Sequence, residues 1–264
     1  MRLSGRHVVV TGGGGGIGGA LARRFDAEGA RAVVVADRDL AAAQVVAEEI
    51  GALAVQFDAG REDGVRSLIA QAGEAYGPID IFVSNAGVPG EGGGPEASDA
   101  AWDEAWRVNV MAHVWASRAL IPEMLDRGEG YLINTASAAG LLTQVSSLIY
   151  SVTKHAAVAL AEWLAIEYGD TGIRVSCICP QGVRTPMLEL AMDDPVAAAA
   201  LTAGGLLDPD DVAEAVVEGI EQERLLILPH EEVAKFMALK GSDPERWIAG
   251  MRRLVRNARA GAAG

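Results

Sequence analysis

His7-Val8-Val9-Val10-Thr11 runs directly into Gly12-Gly13-Gly14-Gly15-Gly16, and then into Ile17-Gly18-Gly19. An apolar, β-branched run, a glycine loop and a segment with helical spacing read as strand, turn and helix. In that helix Ile17, Leu21 and Phe25 recur at i, i+4 and i+8. Such a turn can bind a dinucleotide pyrophosphate: glycines let the backbone approach the phosphates, and the helix N-terminus offers free N–H groups and positive potential. The generic G-x-G-x-x-G spacing fits here in two registers, from Gly13 and from Gly14, so alone it is a weak signal. A flexible turn would account for the same glycines without a ligand.

The next apolar run ends at Asp37, 19 residues beyond Gly18. A carboxylate at about that distance takes the hydroxyls of the adenosine ribose and repels a 2′-phosphate, which favours NAD over NADP. The neighbouring Arg38 is the one feature that would suit the phosphate. Asp37 would serve equally well as a helix cap, and the two roles are compatible.

Outward from this unit the pattern repeats. Apolar, β-branched runs at 7–10, 32–36, 53–57, 79–83, 131–134, 173–178 and 225–228 alternate with longer segments of helical periodicity. Strands apolar almost throughout belong to a parallel sheet covered on both faces. The expectation is a single α/β domain over residues 1–264, a doubly wound parallel sheet of about seven strands flanked by helices. Asp208-Pro209-Asp210-Asp211 reads as a helix start, with proline near the first position and acids at the positive end of the dipole. Residues 230–264 are expected to form a helical extension, with Trp247, Met251 and Leu254 packing on the sheet edge or on a neighbouring subunit.

Composition narrows the partners. Among 264 residues, 36 acids outnumber 22 bases and the formal charge is −14, which disfavours phosphate backbones and anionic lipid. Neither nucleic acid nor membrane is expected as a partner. Cys177 and Cys179, two apart in an apolar run, would share one face of a strand as small buried residues and not as a bridge. The four histidines show no paired spacing, so no metal site is expected. No secretory leader is evident before the first strand, and a cytoplasmic location is the expectation.

Several motifs, in order along the chain, resemble the short-chain dehydrogenase/reductase family in its compact single-domain branch. They span most of the sequence. Thr11-Gly12-x-x-x-Gly16-Ile17-Gly18 matches the family's cofactor loop and sets its register. Asp58 with Ala59 matches the acid by the adenine ring. Ser84-Asn85-Ala86-Gly87 matches the Asn-Asn-Ala-Gly segment, with serine in place of the first asparagine. Asn109, Ser137 and Tyr150-x-x-x-Lys154 match the catalytic set, with Tyr150 following Ser137 by 13 residues. Cys179-Pro180-Gln181-Gly182-Val183-Arg184-Thr185 resembles the Pro-Gly-x-Val-x-Thr segment, with Gln181 where glycine is usual. The resemblance implies a Rossmann-type fold and a homotetramer or homodimer built through two long helices, about 99–127 and 149–168. Trp102, Trp106, Trp115 and Trp163 fall on these helices, as interface or as core.

The resemblance also assigns roles. Gly12, Gly16, Ile17, Gly18, Asp37, Arg38, Asp58, Ala59, Asn85, Ala86 and Gly87 would line the cofactor site with Thr11. Pro180, Gly182, Val183 and Thr185 would meet the nicotinamide end. Lys154 would hold the nicotinamide ribose, and Asn109 would position a water linking Lys154 to solvent. The Tyr150–Lys154 pair has a physical basis of its own, because residues four apart on a helix share a face. Lowering a phenol from a pKa of about 10 to about 7 takes roughly 4 kcal/mol. One positive charge about 4 Å away at an effective dielectric near 20 supplies about that much, so one lysine with a cationic nicotinamide is sufficient in principle. Tyr150 would then exchange the proton, and Ser137 would bond the substrate oxygen where charge develops.

Residues 185–207, apolar and alanine-rich, read as a substrate lid. Leu141, Leu142 and Val145 add apolar surface near Ser137, and the glycine-rich stretch 89–95 reads as a pliable loop. The expected activity is interconversion of a largely apolar secondary alcohol and a ketone with NAD. The alternatives are an NADP-dependent ketoreductase on the same fold, and a catalytically silent NAD(P)-sensing protein.

Overall fold

The fold was analysed in a computed structural model that describes residues 1–91 and 93–262. Gly92, within the expected pliable loop, and 263–264, at the end of the expected extension, lie outside the described residues.

The seven apolar runs are seven parallel strands: β1 His7–Thr11, β2 Ala32–Asp37, β3 Leu53–Gln56, β4 Ile81–Ser84, β5 Gly130–Thr135, β6 Ile173–Ile178 and β7 Leu226–Ile227. Their spatial order is β3-β2-β1-β4-β5-β6-β7, a Rossmann-type doubly wound sheet. The strand ends differ from the sequence reading by at most two residues, and β6 matches it at both ends. Because successive side chains on a strand face opposite ways, each run supplies both cores. Val8, Val10, Tyr131 and Ile133 join the core on one face, and Val9, Phe82 and Leu132 join the other.

Helices α1 Gly16–Ala27 and α2 Leu40–Ile50 cover the first face with α10 Pro209–Glu221. On the opposite face lie α3 Glu62–Tyr76, α5 Ala112–Arg127 and α7 Leu148–Tyr168. The remaining helices are α4 Asp99–Trp106, α6 Ala139–Leu142, α8 Pro186–Met192, α9 Pro195–Leu201, α11 Glu231–Ser242 and α12 Pro244–Ala262. The start of α10 follows the sequence reading: Pro209 occupies the first turn and the Asp211 carboxylate accepts from the Asp208 N–H at 2.9 Å.

Two features depart from expectation. The segment 99–127 is one helical path, but it carries a π-turn at Arg107–Met111 between α4 and α5. The tail does not pack on the sheet edge. Trp247 is buried against Ala138, Leu142 and Val233, with Phe236 and Met251 beside it, so the tail covers the loop after β5. The reason is that Ala138 and Leu142 leave apolar surface outside the sheet, and a helix with an apolar stripe buries it. No helix among the described residues is long and apolar enough to cross a membrane.

Candidate active site

Strand order reverses between β1 and β4, so the loops leaving their C-terminal ends diverge and open a crevice. A cleft of about 720 Å³ lies there. Gly12 stands on one wall, Ala86 and Gly87 on the other, and Pro186 and Met187 of α8 over the top.

The glycine loop is shaped by close approach. Gly12 has φ +62°, and a Cβ on it would stand 2.9 Å from the Ala86 Cα. A Cβ on Gly18 would stand 2.0 Å from the Gly12 carbonyl oxygen. Ile17 packs against the core beneath. Thr11 ties the two sides of the crevice together: its hydroxyl donates to the Val83 carbonyl and accepts from the Asn85 and Ala86 N–H groups. Asn85 in turn donates to the Thr11 and Gly12 carbonyls at 3.0 and 3.3 Å. Helix α1 starts without a side-chain cap and without an acid in its first turn. Its end is therefore a site of positive potential with no carboxylate of its own first turn to oppose an anion, and the residues fit a dinucleotide pyrophosphate.

Asp37 closes β2 at one end of the cleft. Its Oδ2 accepts from the Gly14 N–H at 3.0 Å and its Oδ1 from the Asp39 N–H at 3.1 Å, so the loop orients the carboxylate. Arg38 is exposed beside it on the cleft. Asp58 and Ala59 follow β3 on the same side, where the Asp58 Oδ1 accepts from the Gly60 N–H at 2.8 Å.

Four candidate catalytic residues come from four elements. Asn109 is fully buried in the π-turn. Its Oδ1 accepts from the Val88 N–H at 2.9 Å, and its Nδ2 donates to the Val88 carbonyl at 2.9 Å and to Thr153 Oγ1 at 3.1 Å. Both amide protons are thereby used, which leaves Oδ1 as its remaining polar function. Gly87 separates Asn109 from Lys154: a Cβ there would lie 3.3 Å from Asn109 Oδ1 and 3.4 Å from Lys154 Nζ. Ser137, just past β5, donates to the Pro180 carbonyl at 3.3 Å and accepts from the Ala139 N–H. Tyr150 and Lys154 share one face of α7, with Nζ 5.6 Å from the centre of the phenol ring.

The charge of Lys154 does not by itself lower Tyr150 in this structure. Tyr150 is half-buried, and burial pushes its hydroxyl above the ordinary value of 10; the Ser137 hydroxyl pulls the other way and Cys179 adds to the rise. Lys154 is itself buried, at 3% exposure, and desolvation lowers it from 10.5 to about 8. Its ammonium donates to the Thr135 carbonyl at 2.8 Å. The i, i+4 spacing brings the two side chains together, but the strand carbonyl holds the charge, and dehydration of both groups outweighs their mutual effect.

The strip after β6 runs from the loop of Ser137 to the glycine loop. The Pro180 carbonyl accepts from the Ala138 N–H at 2.8 Å, and Val183 is buried and bridges to Leu207. Thr185 caps α8, and its methyl lies 3.3 Å from where a Cβ on Gly16 would stand, so the strip rests on the glycine loop. Of the expected apolar pocket residues, Leu142 is turned into the Trp247 cluster, while Met187 and Leu190 of α8 reach the cleft. The 185–207 segment folds as α8 and α9, and Val196 and Ala197 of α9 are buried.

Sequence reasoning missed several groups. Arg107 and Glu104 line the cleft without a motif to announce them. His113 is 1% exposed with both ring nitrogens unpartnered among the described residues, close enough to Lys154 to feel its charge. Its position one turn after Asn109 was the available signal. Cys177 and Cys179 are free and buried with Sγ atoms 3.7 Å apart, as their spacing implied.

A family profile described as short chain dehydrogenase matches residues 6–195. A 2,5-dichloro-2,5-cyclohexadiene-1,4-diol dehydrogenase of Sphingobium indicum is 39% identical over 197 residues, 73% of this chain and 78% of that protein. A meso-2,3-butanediol dehydrogenase of Serratia marcescens is 33% identical over 253 residues, 95% of this chain and 92% of that protein. Among solved structures, a short chain dehydrogenase/reductase from Burkholderia phymatum in complex with NAD superposes with a TM-score of 0.82 at 32% identity, covering 93% of this chain and 96% of that chain.

Proposed function

The chain belongs to the short-chain dehydrogenase/reductase family, oxidoreductases acting on CH–OH groups, and from that premise we propose that it interconverts a secondary alcohol and a ketone with NAD. The observation that carries the reading is the convergence of Ser137, Tyr150 and Lys154 beside the glycine cradle, at the C-terminal end of β5.

When bound, the dinucleotide supplies or takes up the hydride. In reduction Tyr150, which its raised pKa keeps protonated at neutral pH, donates its proton to the carbonyl oxygen. Ser137 Oγ hydrogen-bonds the same oxygen where negative charge develops. In oxidation Tyr150 takes the alcohol proton, and Lys154 is the fixed cation beside the ring, shielded from water. Lys154 also stands where it would meet the nicotinamide ribose. Met187 and Leu190 over the cleft favour an apolar substrate.

Asp37, oriented by Gly14 and Asp39, supports NAD, because its carboxylate would repel a 2′-phosphate. The exposed Arg38 beside it favours a second reading with NADP. On α7, Trp163 and Ile166 are 56% and 83% exposed in the isolated chain, and we assign this apolar face to a homodimeric or homotetrameric contact.

Incubation with a panel of secondary alcohols and either dinucleotide tests the reading, followed by the near-ultraviolet absorbance of reduced nicotinamide. Turnover with NAD on apolar alcohols supports it. Tight dinucleotide binding without turnover on any alcohol or ketone would overturn it in favour of a sensor.

A further inference from the structure

Gln181 stands where relatives of this fold usually carry glycine, and its side chain is engaged. Nε2 donates to the Ala200 carbonyl at the end of α9, at 2.7 Å. The amide is accommodated because residue 204 has no side chain: a Cβ on Gly204 would stand 2.5 Å from Gln181 Oε1. The Gln181 backbone N–H donates to His230 Nδ1 at 3.2 Å, and His230 Nε2 lies 3.1 Å from the Gly182 carbonyl. A carbonyl only accepts, so Nε2 carries the proton and Nδ1 is left bare to accept from Gln181. One neutral tautomer satisfies both bonds.

His230 is 2% exposed and immediately precedes α11, without a side-chain hydrogen bond to that helix. The tail behind it also grips the other side of the site. The Lys240 ammonium donates to the Leu141 carbonyl at 2.6 Å, and Trp247 is buried on Ala138 and Leu142. Gly182 is pressed against α9, since a Cβ there would stand 2.4 Å from the Leu201 carbonyl oxygen.

We propose that Gln181 and His230 are positioning residues: together they clasp the 180–183 strip to α9 and to the C-terminal helix pair, so that the tail sets how Val183 and Thr185 stand over the glycine loop. The proposal rests on the reading of that strip as the nicotinamide contact. Neither residue touches the reacting atoms. Their effect is on how tightly the dinucleotide is held and on the order of the lid segment.

The test compares the full-length parent with Gln181→Gly, His230→Phe and His230→Asn. Dinucleotide affinity is read by titration, KM and kcat by turnover, and the order of 180–201 by amide hydrogen exchange without ligand. Loss of the buried bonds in His230→Phe is expected to weaken dinucleotide binding and raise its KM roughly tenfold, with kcat within about twofold. His230→Asn, which keeps an acceptor near the Nδ1 position, is expected to recover most of the loss. Amides of 181–188 are expected to exchange faster in Gln181→Gly and His230→Phe, while those of β1 and β5 are unchanged. Unaltered exchange and affinity in both variants would overturn the clasp. Faster exchange in these variants of a parent that binds no dinucleotide would retain the clasp and reject the nicotinamide reading of the strip.

Discussion

Lys154 donates from Nζ to the Thr135 carbonyl at 2.8 Å, which anchors the candidate catalytic lysine to the end of the strand that leads to Ser137. The bond explains how a buried ammonium is tolerated among apolar and thiol side chains. It also means that the cation is held by the sheet and not by the phenol.

A cost in stability follows. Burial brings Lys154 from 10.5 to about 8, so between those values the unfolded chain binds a proton that the folded chain does not, and stability rises with pH there. At neutral pH the folded protein bears that penalty, and Lys154→Met is expected to be more stable without ligand, by up to roughly 3 kcal/mol, while losing at least about a hundredfold in turnover. Urea unfolding at pH 7 beside an activity assay checks this. A variant less stable than the parent would contradict it.

His113 gives the opposite end of the pH scale. Burial first, then the charge of Lys154, lower its ring from 6.5 to about 4, with Asn134 opposing. Between these values the unfolded chain takes up a proton that the folded ring refuses. Stability is therefore fully present above about pH 6.5 and falls as acid is added, by up to about 1.4 kcal/mol per pH unit. His113→Leu is expected to flatten the loss between pH 6.5 and 4, measured as urea midpoints across that range. An unchanged slope would place the acid sensitivity elsewhere.

Dinucleotide preference is expected to lie with Asp37. Asp37→Ala removes the carboxylate while leaving Arg38 on the cleft. The ratio of kcat/KM for NAD over NADP is expected to fall roughly tenfold or more, because a repulsive element is lost. A ratio that does not move would assign selectivity to other groups.

The exposed face of α7 is the proposed assembly contact. Ile166→Glu is expected to yield smaller species by light scattering, since a charge would be buried in an apolar contact. Unaltered mass would exclude this face.

Much of the fold was legible because its signals are local. Val8 to Val10 and Ile173 to Ile178 read as covered strands from apolar runs alone, and Asp208 to Asp211 carried its helix start in four residues. The candidate site was legible where spacing along one helix or after one strand sets the geometry, as for Tyr150 and Lys154. The rest depends on contacts between distant residues. Gln181 stood out as an odd residue, but its partners Ala200 and His230 lie 19 and 49 positions away. The π-turn around Asn109 has no composition cue, and the seat of Trp247 over Ala138 depended on how the tail returns. The expectation for Tyr150 combined the lysine charge with that of a cationic nicotinamide; in this structure burial of both groups dominates and the lysine charge is held at Thr135.

The central claim is that Tyr150 exchanges the substrate proton. Tyr150→Phe keeps the ring beside Lys154 and removes only the hydroxyl. Turnover of an alcohol that the parent oxidises is expected to fall by roughly a thousandfold, with dinucleotide affinity within about threefold of the parent. Turnover within about tenfold of the parent, at matched affinity, would contradict the account.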